Sequence, residues 1–406
     1  MLIQFTVENF CSLKDETTLS LLASKDKEHE DCLLETSHER VLPTIAIYGA
    51  NASGKTTIIK AMNAAIMTII TSNHRQLHDA LSWIVPFAFD QESRKKLTHF
   101  DFIFMTHGKK YQYGFLADGM QVYEEYLYEY KTARETLIFE RINVNEYKFN
   151  RQYKKVLQKL VDKNTPNKLF LATATSWNAE ITRDAYLWFA NNIKTYDNHV
   201  QEQTSLLDII ENEEDVIKPF IKTLMKNADI NVVDYEIESS TNNIYTNQIH
   251  TGKKTYEVSM IHKKINEDGK EDSFCLPLSM ESTGTKQLFF LAPIIKHALD
   301  CGKAIVIDDF DYSFHPLLMD YLITIFHNKE NNPNHAQLLF TTTSTEMLSL
   351  DTFRRDQVYF TEINHHSNVT ELYSLDKFSV RKTENIRKGY LQGRYGAIPI
   401  IGSLDL

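Results

Sequence analysis

Thr44-Ile-Ala-Ile-Tyr-Gly49-Ala-Asn51-Ala52-Ser53-Gly54-Lys55-Thr56-Thr57-Ile-Ile-Lys60 is the stretch on which the fold turns. Its apolar run at 45–48 predicts a strand, and the spacing of apolar residues over 58–70 predicts a helix of about three turns. Between them Gly49, Asn51, Ala52, Ser53, Gly54, Lys55, Thr56 and Thr57 carry the pattern G-x-x-x-x-G-K-T in the strand–turn–helix setting that a phosphate-binding loop requires. The glycines let the backbone turn its N–H groups toward an anion at the positive end of the helix. Lys55 then reaches the β- and γ-phosphates, and the Thr56 hydroxyl takes a Mg²⁺ position. A chance match on an ordinary strand–turn–helix is the plain alternative, and the setting of the motif weighs against it. The expectation is a nucleoside-triphosphate site.

The 406-residue chain is long enough for two or three domain-sized units, and with 42% hydrophobic and 24% charged residues its composition is ordinary for a globular protein. A net charge of −10 argues against a nucleic-acid-binding surface spread over the whole molecule and leaves a local basic groove open. Cys11, Cys32, Cys275 and Cys301 form no C-x-x-C pair, so neither a zinc site nor a disulfide framework is expected, and free thiols fit a reducing cytoplasm. The start MLIQFTVENF lacks the basic and long apolar segments of a signal peptide. No apolar run approaches the roughly 18 residues of a membrane span. A soluble cytoplasmic protein is expected.

Residues 2–7 and 18–22 alternate apolar and polar side chains, predicting two strands ahead of the loop. Over 83–149 the character changes. HFDFIFM, KYQYGFL and VYEEYLYEY are short, aromatic and alternating, with turns at Gly108 and Asp118-Gly119, which predicts an antiparallel β-rich lobe beside the nucleotide. Residues 151–168 carry six basic side chains (Arg151, Lys154, Lys155, Lys159, Lys163, Lys168) against Asp162 alone. Read as a helix up to the turn near Pro166, this run is a solvated cationic face in one reading. In the other it contacts nucleic-acid phosphates or an acidic partner. Residues 181–194 and 205–225 read as helices, 230–238 and 256–262 as strands, and 266–272 as a polar turn; no heptads announce a long coiled coil. Helix 284–299 kinked at Pro293, strand 303–307, helix 317–327 and strand 337–341 then imply a parallel sheet with crossover helices. The first and last thirds are expected to share that sheet around the nucleotide.

Ala304-Ile-Val-Ile-Asp308-Asp309 is an apolar strand ending in two carboxylates. Beside a phosphate loop, Asp308 at the strand end holds Mg²⁺ through water. Asp309 is placed to orient or deprotonate the attacking water as general base. Apolar strands capped by Asp are common, so the weight of this reading rests on Lys55 upstream. Twenty-four residues before Asp308 stands Gly284, within Leu278-Ser-Met-Glu-Ser282-Thr-Gly284-Thr285-Lys-Gln-Leu288. A Ser-x-Gly-Thr turn opening a helix offers a hydroxyl and backbone N–H groups to an anion. A plain Ser N-cap is the simpler reading; order and spacing before Asp308 favour the first.

Together GANASGKT, ESTGTKQL and AIVIDDFDYSFHP resemble the ABC-type ATPase heads of the RecF, SMC and OLD proteins. Within that group the chain is most similar to the compact AAA-family ATPases of bacterial phage-defence and abortive-infection systems (the AbiLi/RloA type). The opening I-Q-F-T-V-E-N-F, Pro86-Phe87-Ala-Phe89 and the ending Lys388-Gly-Tyr-Leu-Gln-Gly-Arg394-Tyr395-Gly396 resemble the same group. The resemblance covers both ends and barely touches the middle. It implies an α/β fold: an ABC-type ATPase head, with a P-loop mixed/parallel sheet and an antiparallel β lobe, plus a mainly helical insertion. Residues 1–150 form the N-terminal part of the head with the loop and β-rich lobe, 151–260 the insertion, and 261–406 the C-terminal part. The resemblance further implies two heads sandwiching ATP and Mg²⁺, with Lys55 and Thr56 of one subunit facing Ser282 and Gly284 of the other. ATP would hold a homodimer or higher oligomer together, and hydrolysis would release it. Asp311 and His315 match the segment across the dimer seam, and Gln91 stands for the glutamine that senses Mg²⁺ and γ-phosphate.

Two positions depart from the group. Glu usually follows the Mg²⁺-binding Asp, whereas Asp309 is one methylene shorter; a misplacement of about an ångström can cost around a hundredfold in rate. A histidine usually reaches the γ-phosphate after the strand at 338–341, whereas Phe340-Thr-Thr-Thr343-Ser344-Thr345 puts Thr343 there, a hydrogen-bond donor without charge. Both predict tight ATP binding with slow turnover. Arg394 either reaches a partner or nucleotide in trans or pairs with a surface carboxylate. The expected role is an ATP-dependent switch controlling a separate effector, a nuclease or toxin, in antiviral defence. Fewer than a hundred residues follow Asp309, and they hold no Glu plus Asp-x-Asp cluster of the kind that OLD-type nucleases carry. The alternative is a RecF-like DNA-repair ATPase acting directly on DNA through 151–168. A membrane transporter's ATPase subunit fits the β-rich lobe and the insertion less well, and no membrane partner is expected.

Overall fold

A computed structural model describes residues 1–36, 39–131, 134–196, 203–246, 249–267 and 269–399. The central sheet has six strands in the order Ile193–Tyr196, Ala304–Ile307, Gln337–Thr342, Thr44–Gly49, Val358–Asn364, Val369–Ser374. All neighbours are parallel except the last pair. Thr44–Gly49, Ala304–Ile307 and Gln337–Thr342 are buried along their whole length because both faces are covered, which is why they read as unbroken apolar runs. Side chains alternate between the two faces. Ile45 and Ile47 pack with Ile58, Met62 and Ala65 of the helix Lys55–Ile70, whereas Ala46 and Tyr48 join the cluster holding Leu288, Ala292 and Ile295 of the helix Thr283–Cys301.

A seven-stranded antiparallel sheet lies beside it, in the order Glu146–Phe149, Glu135–Ile142, Val122–Tyr130, Lys109–Ala117, Thr98–Thr106, Leu2–Glu8, Thr17–Ser20. Its alternating aromatics supply one inner face: Phe100, Phe102 and Phe104 stand opposite Phe115, Tyr113 and Tyr111 on the next strand. The helix Glu180–Asn191 closes this face through Trp188, stacked on Phe104 at 4.1 Å, and Phe189.

Residues 151–260 serve several places at once. The helices Phe170–Ser176 and Glu180–Asn191 pack on the antiparallel lobe, and Ile193–Tyr196 adds an edge to the central sheet. Gln203–Asn212 and Glu214–Asn227 pack with a long ribbon against Thr283–Cys301. Three local expectations need correction. The helix expected over 181–194 stops at Asn191, because the chain must then extend to pair with Ala304–Ile307. The single helix expected over 205–225 is broken at Glu213, whose φ and ψ of −118° and 31° are not helical and which sits in a run of like charges. The basic run holds only one α-turn, Lys154–Leu157, and a 3-10 stretch, Gln158–Lys163. Beyond it the chain turns inward, where buried Arg141 donates to the carbonyls of Pro166 (3.2 Å) and Lys168 (2.7 Å).

His327 anchors the start of the loop strand. Its Nε2 lies 2.7 Å from Thr44 Oγ1 and 3.0 Å from Gln357 Nε2, and an amide nitrogen only donates, so the imidazole nitrogen accepts and the ring is neutral. Burial pushes the pKa of His327 down to about 4 from 6.5. The unfolded chain therefore binds the extra proton first as pH falls. Stability is expected to be independent of this group above pH 6.5, and to fall by about 1.4 kcal/mol per pH unit from there down to its folded pKa. Urea midpoints measured across that range should lose this slope in His327→Gln; an unchanged slope contradicts the assignment.

Candidate functional site

The loop joining Thr44–Gly49 to Lys55–Ile70 leaves no room for larger residues at its two glycines. A Cβ on Gly49 would lie 2.4 Å from both Ser53 Oγ and Thr361 Oγ1. One on Gly54, which has φ 103°, would lie 2.3 Å from Thr370 Oγ1. Ser53 is buried, with its Oγ 2.6 Å from Thr361 Oγ1, and its carbonyl lies 3.2 Å from Thr370 Oγ1. Thr57 Oγ1 accepts from Ser12 Oγ at 3.2 Å, and Ala50 N–H donates to Ala397 O at 3.1 Å. Asn51 and Ala52 form the exposed crown of the loop, with Ala52 at φ 64°.

Lys55 is 6% exposed and curls over its own loop, donating to Gly49 O at 2.9 Å and Ala50 O at 3.0 Å. Burial lowers its pKa, and the carboxylates of Asp309, Asp308 and Asp311 oppose that shift. The structure thus gathers one cation and three carboxylates at the ends of Thr44–Gly49 and Ala304–Ile307, the two parallel strands that flank Gln337–Thr342. Asp308 is buried, and Thr341 Oγ1 donates to its Oδ1 at 2.5 Å while accepting the Asp309 N–H at 2.8 Å. One hydroxyl therefore sets both acidic residues. Asp309 itself is exposed, at φ 47°. Asp311 Oδ2 accepts from Ser344 N at 3.0 Å and from Thr343 Oγ1 at 3.3 Å, which ties exposed Thr343 to the turn after the acidic pair. Among the described residues the buried Tyr48 hydroxyl makes no hydrogen bond, and burial with Asp311 nearby raises its pKa and keeps it neutral.

Ser282 caps the helix Thr283–Cys301: its Oγ accepts from Thr285 N at 3.1 Å. The capping reading is therefore realised, and the hydroxyl remains at an exposed residue. Gly284 abuts the next turn, since a Cβ there would lie 2.9 Å from Ser313 O. Among the described residues no hydrogen bond or ion pair joins Ser282 to 49–57. A cavity of about 910 Å³ separates the two regions, with Thr56, Lys60 and Asp308 on its lining as well as Thr283, Lys286 and Phe290. Thr56 and Asp308 together offer hard oxygen ligands of the kind Mg²⁺ takes, so the donor set fits that ion.

Other expected residues fall outside this gathering. Gln91 is exposed and, among the described residues, makes no hydrogen bond to the loop. Arg394 pairs with Glu384, which also accepts from Tyr395 Oη. His315 caps the helix Pro316–His327. Lys154, Lys155 and Lys159 are exposed, and Lys163 lies 5.0 Å over the Trp177 ring. Sequence reasoning missed Thr341, Thr361, Thr370 and Ala397. The one available signal was the burial of hydroxyl residues in the apolar strand ending at Thr342.

Residues 45–349 match the family model described as "AAA domain, putative AbiEii toxin, Type IV TA system". Among curated proteins none matches. Similar solved structures include the SMC head domain from Thermotoga maritima, at 12% identity over 92% of this chain and 98% of that one, with a TM-score of 0.41. They also include the Pyrococcus furiosus Smc head domain bound to the C-terminal domain of ScpA (12%, 93% and 97%, 0.44). A third is cbiO1 from Clostridium perfringens, part of the ABC transporter complex cbiONQ (10%, 98% and 98%, 0.36). No described helix is long and apolar enough to cross a membrane.

Proposed function

The chain belongs to this AAA-domain family, matched over residues 45–349, and on that footing we propose an ATP-binding, slowly hydrolysing switch that dimerises around ATP and controls a separate effector. The convergence of Lys55, Asp308, Asp309 and Asp311 at the ends of two parallel strands that flank Gln337–Thr342 carries the reading. Open α/β sheets bind ligands at such ends. When ATP enters, Lys55 Nζ exchanges the Gly49 and Ala50 carbonyls for phosphate oxygens, and the N-terminus of Lys55–Ile70 faces the same charge. Thr56 and Asp308 would hold Mg²⁺, which supplies charge neutralisation on the phosphates. Asp309 orients the attacking water and accepts its proton. Thr343 donates a hydrogen bond to the γ-phosphate without adding charge.

Ser282 and Gly284 of a second copy then close over the γ-phosphate. Exposed Met280, Tyr312 and Leu317 (71%, 59% and 75% accessible) flank these turns and give the second copy apolar surface to cover. Light scattering is expected to show the mass doubling with ATP–Mg²⁺, and Ser282→Arg to stay monomeric while binding ATP normally. A mass insensitive to ATP would contradict the sandwich. The family's description speaks of a toxin and a TA system, which favours work within a small multi-protein system over a free-standing repair ATPase.

The exposed Lys154, Lys155 and Lys159 favour a second reading, direct action on DNA. It predicts DNA binding whose slope of log affinity against log salt flattens by roughly 2–3 on neutralising the three lysines. Binding without that change removes the groove from consideration.

A further inference from the structure

Ser282 is reached from a three-stranded sheet made of Val232–Thr246, Ile249–Ile265 and Glu271–Pro277. The last strand pairs with the middle one from Ile265↔Glu271 to Ser259↔Pro277. After Pro277 come only the 3-10 turn Leu278–Met280 and Glu281 before the capping serine. The two longer strands continue beyond Ser259 without the third, from Ile237↔Val258 to Thr246↔Ile249, ten residue pairs. At the rise of a β-strand that is a ribbon of about 35 Å. Near its base the ribbon is fixed to the head: Val258, Met260 and Tyr235 pack in one cluster with Leu278 and Phe289.

Among the described residues one polar side-chain contact ties this sheet to the turn. His262 Nε2 lies 2.6 Å from Glu281 Oε1, with side chains only 13% and 7% exposed. The imidazole also stacks on Phe274 of the third strand, centroids 5.1 Å apart and planes at 20°. Among the described residues Glu281 has no other side-chain partner. A carboxylate this buried cannot stay in place without its donor, because an unpaired charge pays the full desolvation cost. Losing His262 would turn Glu281 toward water, and Ser282 follows one peptide behind.

We infer that His262 is a positioning residue: through Glu281 it sets the place of Ser282 and Gly284, so that movement of the projecting ribbon is felt at the ATP seam. This rests on the reading of Ser282 and Gly284 as the contact with the second subunit's ATP. His262 touches no phosphate in that reading. It acts only through Glu281.

The experiment compares His262→Gln, which keeps an N–H donor toward Glu281, with His262→Phe, which keeps the ring stack and loses the donor. Fluorescent mant-ATP binding to the monomer, ATP-driven dimerisation and single-turnover hydrolysis are measured on the full chain. A hydrogen bond to a charged group is worth about 1.5–3 kcal/mol, so His262→Phe is expected to weaken dimerisation about 10–100-fold. Monomer mant-ATP affinity should stay within about twofold, and His262→Gln should restore dimerisation to near the natural level. Glu281→Leu should match His262→Phe, and the double variant should lose no more than either alone. Wild-type dimerisation in His262→Phe, or additive losses in the double variant, overturns the inference. So does loss of monomer mant-ATP binding in both His262 variants, which would make the residue structural only. Ser282→Arg is the control: if it dimerises normally, the sandwich reading itself fails, an outcome distinct from a failure confined to His262.

Discussion

Lys55→Ala is expected to weaken ATP binding about 10–100-fold and to reduce hydrolysis below detection. Among the described residues Lys55 Nζ donates only to the two loop carbonyls, and these are neutral acceptors that bind an ammonium less strongly than phosphate oxygens do. A hydrogen bond to a charged group contributes about 1.5–3 kcal/mol, which sets the range. The same substitution removes the cation that Asp308, Asp309 and Asp311 favour. Lys55→Arg should not rescue, because the guanidinium is a planar fork and the buried cradle holds a compact ammonium. Mant-ATP titration decides it; an affinity within threefold of the natural protein would remove Lys55 from the phosphate site.

Asp309→Glu is expected to raise the single-turnover rate by about 10–100-fold, the size of effect that an ångström of misplacement commands. The gain requires a fixed backbone. Asp309 N–H is held by Thr341 Oγ1, whose proton is committed to Asp308, so the main chain cannot shift to make up for the missing methylene. A cost accompanies the gain. Asp309 sits at φ 47°, a region that Asp and Asn enter more easily than Glu, so the faster variant should also be less stable, by about 1 kcal/mol. Single-turnover hydrolysis beside urea denaturation checks both halves. A rate unchanged or lowered in Asp309→Glu means that reach is not what limits turnover.

The head was legible in the sequence where a motif must keep its spacing or a strand must be buried on both faces. Gly49 and Gly54 are pinned by Thr361 and Thr370, and Ala304–Ile307 delivers its carboxylates beside the loop because parallel neighbours bury it. The aromatic alternation of 98–130 marked the antiparallel lobe for a similar reason: one face packs on Trp188 and Phe189. Short elements set by distant partners were not legible. Ile193–Tyr196 is four residues whose extension is dictated by Ala304–Ile307, far along the chain. In the sequence the ribbon shows only as two short strands, 230–238 and 256–262, because its far end is rich in Asn, Thr and Ser and has no apolar alternation to announce it. Within the site, Thr341, Ala397 and the Asp311–Thr343 contact depend on strand order, which no local pattern encodes.

Whether ATP holds a dimer that turns over slowly is decided by following the mass of the full chain through a single turnover with ATP–Mg²⁺. The dimer is predicted to form on addition of ATP, to persist while phosphate is released slowly, and to dissociate with that release. A monomer throughout, or phosphate released quickly from a chain that never doubles its mass, would contradict it.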